Sequence, residues 1–64
     1  MVDPKELRVR LGLSQSEFAH RYKLSLRTVQ GWETRKIPRD GAAQLLLLLI
    51  EREPETIARI LSST

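Results

Sequence analysis

Between Leu26 and Gly31 the chain sets out Leu26, Arg27, Thr28, Gln30 and Gly31, five residues that share the outward side of a short helix if Val29 and Trp32 point inward. A guanidinium in such a place donates two parallel hydrogen bonds to guanine O6 and N7. A carboxamide pairs with adenine, and a leucine or threonine methyl packs on the thymine methyl. The surface has hydrogen-bonding ends and little bulk, which suits a major groove about 12 Å wide. Just downstream, Arg35, Lys36 and Arg39 are placed to meet phosphates.

Positioning such a face takes a supporting scaffold, and the sequence supplies its punctuation. Asp3-Pro4-Lys5-Glu6 offers an N-cap, a proline at the first helical position and a capping-box glutamate, with Gly12 as the stop, so a first helix covers 4–11. Ser14-Gln15-Ser16-Glu17 repeats the capping-box spacing and starts a second helix over 15–22, with Phe18 and Tyr22 on one face. Ser25 caps a third over 26–33, Ile37-Pro38 breaks the pattern, Asp40 caps a fourth over 41–52, and Pro54 opens a fifth over 54–61. No strand-like alternation occurs, so the fold class is all-α, a compact arrangement of five helices.

Size and composition narrow the function. Sixty-four residues make a single domain, 1–64, near the lower limit for a purely hydrophobic core. There is no cysteine and the sole histidine is His20, which excludes disulfide frameworks, zinc fingers and cysteine nucleophiles. The carboxylates Asp40, Glu51, Glu53 and Glu55 cap helices or lie on solvent faces without a nucleophile and base in register, so an enzyme is not expected, nor any cofactor or metal. The net charge of +3 is unevenly spread: residues 20–40 carry Arg21, Lys23, Arg27, Arg35, Lys36 and Arg39 against Glu33 and Asp40, whereas residues 41–64 are slightly acidic. A polyanion is drawn to the middle of the chain. The start of the sequence has no secretory leader pattern, and a cytoplasmic location is the expectation.

The unit 15–34 has what two helices crossing at a tight turn require: apolar Phe18, Tyr22, Leu24, Val29 and Trp32, and the small Ala19 at the close approach. An ordinary helical hairpin meets the same requirements. Gly12-Leu13-Ser14-Gln15-Ser16-Glu17-Phe18-Ala19, followed by Leu24-Ser25-Leu26-Arg27-Thr28-Val29 and Trp32-Glu33, resembles the lambda-repressor/Cro-like (XRE) helix-turn-helix family across nearly the whole chain. That resemblance implies double-stranded DNA binding and transcription regulation, by a repressor whose third helix enters the major groove. It places Gln15 on a backbone phosphate as a brace for the recognition helix, puts Leu26, Arg27, Thr28, Gln30 and Gly31 at base edges, and pairs Arg8 with Glu33. The chain departs from the family at Lys23, where glycine is frequent, and Lys23 is then expected in a left-handed conformation or in an altered turn.

In the fourth helix Leu45, Leu46, Leu47, Leu48, Leu49 and Ile50 are apolar all around. A packed stripe of Ala42, Leu45, Leu46 and Leu49 leaves Leu47, Leu48 and Ile50 over, and Ile57, Ile60 and Leu61 add to them. The region 45–61 is therefore expected to form a homodimer through Leu47, Leu48, Ile50, Ile57, Ile60 and Leu61, with two recognition helices set about one DNA turn apart on a palindromic operator. The alternative is that the fifth helix covers the fourth within one chain.

More narrowly, Val29-Gln30-Gly31-Trp32-Glu33, Ile37-Pro38-Arg39-Asp40-Gly41-Ala42-Ala43, Leu45-Leu46 and Glu53-Pro54-Glu55 are similar to HigA-like antitoxins. This implies autorepression and a toxin protein as partner, although little of the sequence lies outside the five helices to grip one. A phage- or plasmid-type regulator and a protein-interaction module without DNA binding are the competing readings.

Overall fold

In the computed structural model, which describes residues 1–34 and 40–63, five helices follow one another: α1 (Pro4–Arg10), α2 (Gln15–Arg21), α3 (Leu26–Thr34), α4 (Gly41–Arg52) and α5 (Pro54–Ser62). No strand occurs among the described residues, and none of their helices is long and apolar enough to cross a membrane. Each expected helix is present, with ends within one residue of the positions read from the caps.

The helix starts are fixed by side chains. Asp3 Oδ1 accepts from the backbone N–H of Lys5 at 2.9 Å and of Glu6 at 3.3 Å. At α2 the capping box closes in both directions, Glu17 N–H to Ser14 Oγ at 3.1 Å and Ser14 N–H to Glu17 Oε1 at 2.8 Å. The Ser14 backbone N–H, and after it the Ser14 side chain, hold the Glu17 carboxyl below its ordinary range. Asp40 Oδ1 accepts from Ala42 N–H at 3.2 Å and starts α4.

The ends of α1 and α2 share one geometry. Leu13 N–H reaches Arg8 O at 3.2 Å and Gly12 N–H reaches Val9 O at 3.0 Å; Leu24 N–H reaches Ala19 O at 2.8 Å and Lys23 N–H reaches His20 O at 3.4 Å. Both are Schellman motifs, which need a left-handed residue just past the helix. Gly12 takes it at φ 73° and Lys23 at φ 55°. Lys23 does so against a steric cost of about 1–2 kcal/mol that glycine does not bear. The turn between α2 and α3 thus keeps its usual shape with an unusual residue.

One core joins all five helices. Leu7, Phe18, Ala19, Tyr22, Val29, Leu47 and Ile50 are buried, and Leu24, Trp32, Leu46, Ile57 and Leu61 pack against them. The Phe18 and Tyr22 rings lie 5.0 Å apart at a tilt of 53°. Tyr22 Oη donates to Pro54 O at 3.1 Å, tying the end of α2 to the start of α5.

The rotation of α4 about its axis differs from the expected one. Ala43, Leu47 and Ile50, spaced i, i+4 and i+7, face the core with Leu46 beside them, while Ala42, Leu45 and Leu49 are exposed. Leu47 and Ile50, expected at a dimer interface, are instead fully buried within one chain, and Ile57 and Leu61 are half-buried against the same core. The cause lies at the N-terminal segment and α1. Val2 N–H donates to Gln44 Oε1 at 2.9 Å, Gln44 Nε2 donates to Val2 O at 3.1 Å, and Arg10 pairs with Glu51 at 3.3 Å. These contacts turn the Gln44 and Glu51 edge of α4 toward α1. A run of six apolar residues carries no phase of its own to resist them.

Candidate nucleic-acid interface

The outward side of α3 follows from what its other side buries. Val29 is fully buried and Trp32 packs on the core. Leu26, Arg27, Gln30 and Gly31, at helical positions i, i+1, i+4 and i+5, are left on one exposed face. Leu26 is 40% exposed. Thr28, expected beside them, is half withdrawn: Ser25 Oγ donates to Thr28 Oγ1 at 2.8 Å and accepts from Thr28 N–H at 3.0 Å, so this hydroxyl serves the helix start. A Cβ at Gly31 would meet no heavy atom within 4 Å among the described residues, apart from its chain neighbours and the backbone of α3 itself. The fold itself does not need glycine there, and the space it leaves faces outward.

What aims this face is a polar node at Glu33. Arg8 donates to its carboxylate through Nε at 2.7 Å and Nη2 at 2.9 Å, Gln15 donates through Nε2 at 3.1 Å, and Arg8 Nη1 reaches Leu13 O at 3.0 Å. The node ties α1, the turn after it, the start of α2 and the last turn of α3 at a single carboxylate. The Arg8 and Glu33 side chains are only 14% and 8% exposed, so this pair is not the solvated kind that contributes little. The Arg8 bond holds the Glu33 carboxyl below its ordinary range, against desolvation and with help from Gln15; the same bond raises Arg8. The Gln15 amide carries a second N–H beyond the one given to Glu33.

Arg35, Lys36 and Arg39, expected at phosphates, lie outside the described residues. Of the expected dimer residues, Leu48 (41%) and Ile60 (52%) are exposed, and Leu45 (59%) and Leu49 (43%) join them where burial had been expected. The Gln15 bond to Glu33 spans 18 residues and leaves no trace in local pattern. Among the described residues no group of His, Asp or Glu is arranged to hold a metal.

A helix pair with a capped entry, a Schellman turn and an exposed polar face on its second member defines a helix-turn-helix protein, and the family model described as "Helix-turn-helix" matches residues 5–57. The chain belongs to the XRE-type helix-turn-helix family. It is similar to Antitoxin HigA-2 of Vibrio cholerae serotype O1 (strain ATCC 39315 / El Tor Inaba N16961), at 34% identity over 62 residues, covering 92% of this chain and 60% of the relative. The chain thus spans about 60% of the length of that curated relative. No solved structure matches it.

Proposed function

We propose that the protein is a transcriptional repressor that binds a palindromic operator as a homodimer, with α3 in the major groove. The observation that carries this reading is the exposed face Leu26, Arg27, Gln30 and Gly31, held rigid from behind by Val29 and the Glu33 node. Arg27 reads guanine, Gln30 reads adenine, Leu26 packs on a thymine methyl, and Thr28 steadies the helix start. Gln15, Arg35, Lys36 and Arg39 supply phosphate contacts. The second protomer docks on the exposed α4 and α5 residues Leu45, Leu48, Leu49 and Ile60.

The test is Arg27→Ala, assayed on operator and on random DNA. The expected loss is about 1–3 kcal/mol on the operator with preference relaxed at one base pair per half-site. An equal loss on both DNAs identifies Arg27 as a phosphate contact and refutes the base-reading role.

The name of the relative supports a second reading, in which the protein is an antitoxin that also binds a toxin protein. Co-expression with a toxin encoded beside it, followed by purification of a complex, tests that reading directly.

A further inference from the structure

On the other side of the turn that precedes α3, a concavity of about 310 Å³ lies between the end of α2 and the outer side of α5, lined by His20, Arg21, Lys23, Ala58, Arg59 and Ser62. Three permanent cations and an imidazole surround it, and no carboxylate lines it. Arg21, Lys23 and Arg59 are exposed, and none makes an ion pair among the described residues. Glu55 lines the neighbouring concavity with Arg21 but does not pair with it.

Cations in the last turn of a helix complement its dipole, which accounts for Arg21 at the end of α2 and Arg59 near the end of α5. It does not account for Lys23. Lys23 sits beyond α2 at φ 55°, where glycine fits without strain, so the strained position is one where a cation is kept at a cost to the backbone.

We infer that this basic concavity is a second phosphate-binding surface for DNA, running from the turn onto α5 and outside the α3 face that reads bases. The inference rests on the DNA-binding reading above. Lys23 and Leu26 are three positions apart, a chain length of at most about 11 Å, so a duplex that receives the start of α3 in its groove brings a flanking backbone within reach of the Lys23 ammonium. Arg21 and Arg59 then continue the line of donors along that strand. A regular series of phosphates matches several cations without an ion-pair partner among the described residues better than a single carboxylate does.

The experiment is the salt dependence of DNA affinity for the wild type, Lys23→Gly, and the double variant Arg21→Gln/Arg59→Gln. Lys23→Gly suits the left-handed backbone, so a lost contact is not confused with a lost fold. The expected result is a slope of log affinity against log salt shallower by about 0.9 for Lys23→Gly and by about 1.8 for the double variant, with equal losses on operator and random DNA. Unchanged slopes in variants of a protein that does bind DNA overturn the inference and leave the base-reading face intact. Unchanged slopes with lost binding to poly-glutamate assign the concavity to an acidic protein and also overturn it. A wild type that fails to bind DNA at low salt overturns the DNA-binding reading and this one together.

Discussion

Around Glu33 four directed hydrogen bonds, two of them from one guanidinium to one carboxylate, hold α1, α2 and α3 in register. Along α4 and α5 the chain is held chiefly by apolar contact, with Leu47 and Ile50 inside and Leu45, Leu48, Leu49 and Ile60 still exposed. The first region is closed: among the described residues no buried side-chain polar atom lacks a partner. The second region is left open to a further apolar surface. Directed bonds suit a helix whose angle against a groove must be set, because hydrogen bonds lose strength steeply with misalignment. Non-directional apolar surface suits assembly, where area counts for more than angle.

The largest effect that separates the regions is expected within α4. Leu47→Ala costs about 2–5 kcal/mol of stability, since it empties a fully buried site in a small core. Leu45→Ala, two residues away and 59% exposed, changes stability by about 0.5 kcal/mol or less and weakens self-association. Urea denaturation and sedimentation, run on both variants, check the pair. Equal destabilisation by the two refutes the assigned rotation of α4, and a wild type that stays monomeric at micromolar concentration refutes the dimer.

A smaller effect is expected at the node. Glu33→Ala leaves Arg8 nearly buried and unpaired, at a cost of about 3 kcal/mol. Acid probes the same bond more gently. The folded pKa of Glu33 lies below the ordinary 4.5, so its contribution is full above that value and is lost as pH falls through the lowered one. Glu17 shifts in the same direction. Between neutral pH and pH 3 the wild type is therefore expected to lose more stability than Glu33→Gln, which lacks the titrating group. Parallel pH profiles for the two proteins contradict the node.

The helix boundaries and the α2–α3 unit were legible in the sequence because polar caps alternate with apolar residues there. Ser14 with Glu17, and Ser25 before Leu26, mark starts whose bonds are local. The bonds that aim the site are not local. Arg8 and Glu33 are 25 residues apart, and only family resemblance suggested pairing them. The rotation of α4 was illegible for a sharper reason: six consecutive apolar residues fit any phase, and the choice falls to contacts 42 and 41 residues distant, Val2 with Gln44 and Arg10 with Glu51. The bond from Ser25 to Thr28 was not legible either, because a residue at the third position of a helix can turn its hydroxyl to the cap as readily as outward. Arg21 and His20, read singly, look like an ordinary solvated face; their convergence with Lys23 and Arg59 needs the crossing of α2 and α5.

The central claim, that two copies of the α3 face read a duplex, is tested most directly by selecting bound sites from a pool of random DNA. The account predicts enrichment of inverted half-sites about 10 base pairs apart, centre to centre, with a guanine in each half-site whose selection disappears in Arg27→Ala. Enrichment of a single asymmetric site, or no enrichment at low salt, contradicts it.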